Sequence, residues 1–213
     1  MTPGKALLDN AGIKIVNFGC GPSPSAGVLN IDGSPTVLLA RLPLPAATFG
    51  SRCEFVASVR RYNIKFGLGR RIKFAGESLD GFYTSHTLEH MPRSQCVSLL
   101  SKVRDWLKPS GMLRVVLPDL RRFNTQYAEG EFDADQFVRS IHLAIDGIPW
   151  WKVALGHAYH RWMYDASSFS KLLSELGYSN IRQCVYGQGK VPALVRLDLP
   201  ERRSESCYIE AEP

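Results

Sequence analysis

Short runs of β-forming apolar residues, each closed by glycine or proline, alternate along this chain with stretches whose apolar positions recur every three or four residues. Ile13 to Phe18 (IKIVNF) is the first run, and Gly19-Cys20-Gly21-Pro22 closes it with a turn that a helix cannot continue through. Val28 to Ile31 predicts a second short strand ended by Asp32-Gly33, and Gly81 to Ser85 (GFYTS) predicts another. After Pro92, the residues Val97, Leu100, Val103, Arg104 and Leu107 make one helical stripe, apolar apart from Arg104, which Lys108-Pro109-Ser110-Gly111 stops. Met112 to Leu117 (MLRVVL) has the pattern of a buried strand, and Pro118-Asp119 ends it. Phe169, Leu172, Leu173 and Leu176 fall at i, i+3, i+4 and i+7, which predicts a helix with Asp165 or Ser167 as its cap and Gly177 at its stop. Ile181 to Tyr186 and Cys207 to Ala211 predict two closing strands. Strands alternating with helices imply an α/β fold with a mostly parallel sheet covered on both faces.

The stretch 121–165 breaks that alternation. It holds nine of the 22 aromatic residues and three of the five histidines, as expected of a helical, aromatic-rich insertion that caps a pocket. A helical subdomain using the aromatics as its own core fits the same composition. The chain has 213 residues, 45% hydrophobic and 22% charged, enough for one sizeable core, so a single domain over 1–213 is expected. No run approaches the length of a membrane span, and Met1 to Lys14 lacks a basic start followed by an apolar block, so the expectation is an unprocessed cytoplasmic protein. The cysteines Cys20, Cys53, Cys96, Cys184 and Cys207 are odd in number, far apart and form no C-x-x-C pair, which predicts free thiols and no zinc knuckle. The net charge of +6 is local: no acid lies between Glu54 and Glu77, where Arg60, Arg61, Lys65, Arg70, Arg71 and Lys73 make a basic cluster. Such a cluster can hold phosphate, a sugar acid or nucleic acid, or be a solvated face.

Candidate chemistry begins at the first turn. Glycines at the end of a first strand let a ligand approach the backbone, and an acid at the tip of the second, here Asp32, accepts hydrogen bonds from ribose hydroxyls. A dinucleotide site wants a third glycine where this chain has Pro24, and the acid follows Gly19 by only thirteen residues, which favours an adenosyl ligand without a pyrophosphate. A tight turn beside a surface aspartate would carry the same residues.

Taken with the downstream segments, VNFGCGP at 16–22, LNID at 29–32, SLDGFYTSHTLEHM at 78–91 and LKPSGMLRVVLPDL at 107–120, the chain resembles the class I S-adenosylmethionine-dependent methyltransferases. Within them it looks most like the small bacterial type 11-like enzymes associated with surface-polysaccharide clusters. The resemblance implies a Rossmann-like seven-stranded sheet, S-adenosylmethionine as cofactor, and methyl transfer to an oxygen or nitrogen nucleophile of a small molecule or glycan. It puts Gly19, Cys20 and Gly21 against the methionine part, Asp32 with Gly33 at the ribose, and Ser85, His86, Thr87 and His90 beside the sulfonium and the acceptor. Two departures stand out. Pro22 and Pro24 argue for a shortened first crossover without a helix, and the acid many relatives carry after the third strand is missing, which leaves the adenine to backbone groups near Phe74.

His86-Thr87-Leu88-Glu89-His90 also reads as H-x-x-E-H, a zinc-hydrolase pattern, but that pattern needs a continuous helix, so no metal is expected. His157 or His160 is a candidate general base, or else a structural histidine bonded to backbone. Arg121, Arg122, Arg161 and Tyr164 are candidate contacts for a small-molecule or saccharide acceptor, with an anionic one fitting best. The competing readings are an NAD-type oxidoreductase, disfavoured by the missing glycine, and a nucleic-acid-binding module, for which no recognition signature is present.

Overall fold

The computed structural model of the chain describes residues 14–69, 71–143 and 159–213. Seven strands, β1 (Ile15–Phe18), β2 (Leu29–Asp32), β3 (Lys65–Phe66), β4 (Leu79–Ser85), β5 (Leu107–Pro118), β6 (Ser179–Cys184) and β7 (Ser206–Glu212), form one sheet in the order β3-β2-β1-β4-β5-β7-β6. The first five strands are parallel, and β7 runs antiparallel between β5 and β6. The described helices are α1 (Pro35–Leu39), α2 (Cys53–Arg61), α3 (Arg93–Trp106), α4 (Leu120–Ala128), α5 (Ala134–Ser140), α6 (Ala166–Glu175) and α7 (Pro192–Val195). None of the described helices is long and apolar enough to cross a membrane.

Alternation along each strand sends side chains to opposite faces, and each face has its own apolar cluster. Leu113, Val115 and Leu117 of β5 join Cys207 and Ile209 of β7 under Leu99, Leu100 and Val103 of α3 and Phe169 and Leu173 of α6. On the other face Tyr83, Met112, Val116 and Tyr208 pack under Leu194 of α7, while Cys20, Val37, Val56 and Val59 make a separate cluster between the glycine turn and α1 and α2. The first crossover, residues 19–28, contains no helix, as its prolines require.

Several local expectations shift. The buried face of α3 is Cys96, Leu99, Leu100, Val103 and Trp106, so Arg104 lies off the core and donates from Nη1 to the Leu176 carbonyl at 2.6 Å. The helix ends at Trp106, five residues before Gly111. Leu107 already pairs with Leu79, and Lys108 to Gly111 bulge out before Met112 resumes pairing opposite Gly81. For α6 the cap is Asp165, whose carboxylate accepts from the Ser168 amide at 2.7 Å in a capping box. The basic cluster is partly spent within the fold: Arg60 donates to the carbonyls of Ala40, Leu42 and Leu44, tying the end of α1 to α2.

Beneath α7 lies a buried ionic group. Arg114 of β5, fully enclosed, donates to both carboxylate oxygens of Asp198 at 2.9 and 2.5 Å and to Glu210 of β7 at 2.9 Å. Glu210 also receives Arg182 of β6 and the Lys190 amide, so one guanidinium and one carboxylate join β5, β7, β6 and the 187–198 segment. Removing the guanidinium leaves two buried carboxylates short of donors. Arg114→Met is therefore expected to cost about 3–5 kcal/mol and to lower the urea midpoint by more than about 1 M. An unchanged midpoint would show that the group is electrostatically idle.

Candidate active site

β1 and β4 are neighbours whose chains leave in opposite directions, to β2 on one side and β5 on the other, so a crevice opens above their carboxyl ends. The turn after β1 shapes its floor. Gly19 and Gly21 hold φ of +72° and +50°, the left-handed region that glycine tolerates without cost. The amides of Gly19 and Cys20 donate to the Ile31 carbonyl at 2.8 and 3.3 Å, which folds the turn back onto β2. A Cβ on Gly19 would lie 2.0 Å from the Thr87 Oγ1, whereas nothing stands within 4 Å of the same point on Gly21. The first glycine thus allows the tip of β4 to close against β1, and the second leaves backbone open to a ligand.

Asp32, at the tip of β2, is 8% exposed. Its Oδ2 accepts from the Gly21 amide at 2.9 Å and its Oδ1 from the Ser34 amide at 2.7 Å. A carboxylate has about four acceptor sites, so two remain for hydroxyl donors. An adenosyl ribose fits this arrangement. Beside Asp32 stands a contact the sequence did not single out: the loop after β3 bonds back through the Gly67 amide to the Asp32 carbonyl, and Leu68 Cδ2 lies 2.9 Å from where a Cβ on Gly33 would be. Phe74, expected near the adenine, instead meets Trp106 edge-on at 5.2 Å, and the neighbouring Ser78 amide bonds the Trp106 carbonyl. Trp106 directly precedes β5, so the chain has by then run back to the amino end of the strands. Cys20 is corrected in part. Its side chain points into the α1–α2 cluster, and burial together with the Asp32 charge pushes its thiol pKa far up, so only its backbone faces the turn.

At the tip of β4, Thr87 donates to the Ser85 carbonyl at 2.9 Å, and its Oγ1 is 3.4 Å from the Gly19 carbonyl. His86 has φ +47°, which turns its ring away from the H-x-x-E-H spacing and onto Ser206 Oγ at 2.7 Å. A short 3-10 turn, Leu88–His90, follows. Glu89 on it is wholly buried, and burial pushes its pKa up to about 8. His90 Nδ1 lies 3.0 Å from the Tyr159 carbonyl.

The expected acceptor side divides. His160 is 5% exposed, stacked on His142 and edge-on to His90, and burial pushes its pKa down to about 3, too low for the general base expected near neutrality. His157 lies outside the described residues. Tyr164 is a core residue packed against Phe169, not a lining residue. Arg121, Arg122 and Arg161 are exposed: Arg121 reaches Asp165 at 3.5 Å, Arg122 donates to the Ser204 carbonyl at 3.0 Å, and Arg161 lies over the Tyr159 ring. Arg122 also lines a groove with Tyr186, Arg203, Ser206 and Tyr208, which sequence reading missed because α4, the end of β6 and the start of β7 meet only in the fold.

No protein-family model matches the chain, and no curated protein matches it. Solved structures do. A SAM-dependent methyltransferase of Thermotoga maritima is 14% identical, with 95% of this chain and 83% of that one covered and a TM-score of 0.54. An S-adenosylmethionine-dependent methyltransferase of Mesorhizobium loti is 17% identical over 95% and 92% of the two chains, with a TM-score of 0.53. A Nostoc punctiforme protein provisionally described as an O-methyltransferase is 17% identical, with a TM-score of 0.52; 98% of this chain is covered, and it spans about half (54%) of the Nostoc protein. The chain therefore has the fold of the class I S-adenosylmethionine-dependent methyltransferases.

The Gly19–Thr87 approach is testable without any ligand. Gly19→Ala should destabilise the protein by more than about 1 kcal/mol, the usual cost of an L side chain in this conformation, with the clash added. Thr87→Ala in the same background should recover part of the loss. A double variant no more stable than Gly19→Ala alone would place the strain elsewhere.

Proposed function

We propose that the chain is a methyltransferase that binds S-adenosylmethionine above β1 and β2 and serves an oxygen or nitrogen nucleophile of a small molecule or glycan. The observation that carries the reading is the Asp32 carboxylate, fixed by the Gly21 and Ser34 amides at the switch point of the sheet with two acceptor sites to spare. When bound, the cofactor supplies an electrophilic methyl group on a sulfonium. Gly19 and Gly21 give backbone access, Asp32 holds the ribose hydroxyls, and the Gly67–Leu68 turn faces the adenine end. Ser85, Thr87 and the His86 backbone border the methyl end, where holding the nucleophile in line carries most of the catalysis.

The acceptor site is the groove on the β5–β7 side, beside α4. Arg122 and Arg203 give the groove there two guanidinium groups, which suits a sugar acid or a similar anionic metabolite. The five separated cysteines support a cytoplasmic setting.

Calorimetry with S-adenosylhomocysteine, NAD and a control nucleotide tests the cofactor. Binding of the first alone is expected, and Asp32→Ala should weaken it about ten- to a hundredfold, the worth of hydrogen bonds to a charged acceptor. Unchanged affinity in that variant, or preference for NAD, overturns the reading. For the acceptor, methyl transfer to a panel of sugar acids should fall at least about tenfold in Arg122→Ala, roughly one charge-assisted bond. Affinity for S-adenosylhomocysteine should stay within about twofold of wild type; a parallel loss of both would put Arg122 in the scaffold.

A further inference from the structure

Among the described residues, Glu89 is the one carboxylate whose two oxygens are both buried without a hydrogen-bond partner. It is 0% exposed. A carboxyl group left in this state costs several kcal/mol relative to water. Two imidazoles stand beside it, with His86 Nδ1 at 3.7 Å and His160 Nε2 at 3.9 Å from Oε1, beyond hydrogen-bonding distance.

The His90 imidazole has a definite polarity. His90 Nδ1 faces the Tyr159 carbonyl at 3.0 Å, and a carbonyl only accepts, so Nδ1 carries the proton and Nε2 the lone pair. His160 Nδ1 lies 3.1 Å from the Met163 sulfur, and its Nε2 is the ring atom turned towards Glu89, at 3.9 Å from Oε1. One ligand atom from each of Glu89, His90 and His160 lies within 4.8 Å of the other two. Potential ligand atoms of all three residues therefore converge, with Glu89 and His160 buried and His90 half-buried. The backbone sets up this meeting unaided, because the Arg161 and Trp162 amides donate to the Glu89 carbonyl at 2.7 and 3.1 Å and so seat His160 opposite the 88–90 turn.

We propose that Glu89, His90 and His160 bind one divalent transition-metal ion, with zinc the best match. Two imidazoles and a carboxylate are a zinc ligand set that leaves a fourth position open, and an outward Nδ1–H held by an acceptor, as on His90, is the usual outer shell of a ligating histidine. Tetrahedral bonds of about 2.0–2.2 Å put donor atoms about 3.3–3.6 Å apart, so the cluster need close by only about an ångström. The expectation of no metal rested on His86 and His90 lacking the continuous helix that would bring them together. His86 does turn away to Ser206, but His160, near the end of the 121–165 stretch, takes its place. The ion fastens the returning 159–162 segment to the turn after β4. The site does not depend on the methyl-transfer reading.

The test uses the full chain, stripped with a chelator and dialysed. Zinc titrated by calorimetry should bind at one ion per chain and raise the melting temperature. Cobalt(II) should give the visible spectrum of nitrogen and oxygen ligation without a thiolate band. His160→Gln and Glu89→Gln should each weaken zinc by at least about a hundredfold and abolish the thermal shift, with circular dichroism of the metal-free variants confirming the fold; should Glu89→Gln fail to fold, His160→Gln and His90→Gln decide. No zinc binding to wild type, a thiolate spectrum, or equal binding in His160→Gln overturns the site. S-adenosylhomocysteine titrated into the same stripped samples separates the two proposals. Its binding without zinc binding refutes only the metal site, and zinc binding without it refutes only the cofactor.

Discussion

The close approach of β1 to β4 is the constraint from which the crevice follows. Parallel neighbours whose chains depart to opposite sides leave a gap at their carboxyl ends, and its depth depends on how near the two tips come. Here the tips touch because Gly19 presents no side chain to Thr87. The same glycine turn is bent onto β2 by two amides on one carbonyl, and Asp32 then grips its far end through Gly21. A shortened crossover is the consequence. With the turn already anchored to β2 at both ends, no helix is needed to bring the chain across, and the prolines that forbid one cost nothing.

Two buried carboxylates on opposite sides of the sheet show how differently the protein treats similar chemistry. Glu210 is enclosed on the face under α7, yet it receives two guanidinium groups and a backbone amide. Glu89, equally enclosed at the crevice end, receives none of these. A fold that satisfies one acid so fully has no shortage of cations to offer, since the chain carries 26 lysines and arginines against 20 acids. The contrast separates a group that holds strands together from one that, among the described residues, has no hydrogen-bond donor.

What the sequence disclosed, and what it hid, follows from the range of the interactions. β4, the core of β5 and α6 were legible because their buried positions repeat at the period of the element. Gly19 and Asp32 were legible because a turn and a strand tip impose residue types locally. β3 has two residues and α1 five, too few for any period to emerge, and α2 buries only Val56 and Val59. Phe74 was misplaced because spacing after a strand does not reveal which way the chain then travels. His86 bonds Ser206 across 120 residues, and Glu89 meets His160 across β5 and the insertion, so no local pattern joins either pair. H-x-x-E-H marked the right place, but the fold completes it with a residue from elsewhere.

The insertion after β5 is tied down at its stem, which limits what it can contribute. Asp119, just after the strand, caps α4 and bridges to Tyr164, and the Leu120 amide bonds the Tyr164 carbonyl. The returning chain is bonded again at Glu89, next to the tip of β4. Both ends of the segment are thus fixed beside the tips of β5 and β4. With Tyr164 and His160 consumed in that stem, the proposed function leaves discrimination among acceptors to Arg122 and Arg203 in the groove and Arg161 on the exposed rim. Guanidinium groups on a fixed floor select by charge and by the planar geometry of an acidic group. Selectivity of that kind could be changed without disturbing the turn proposed to hold the cofactor.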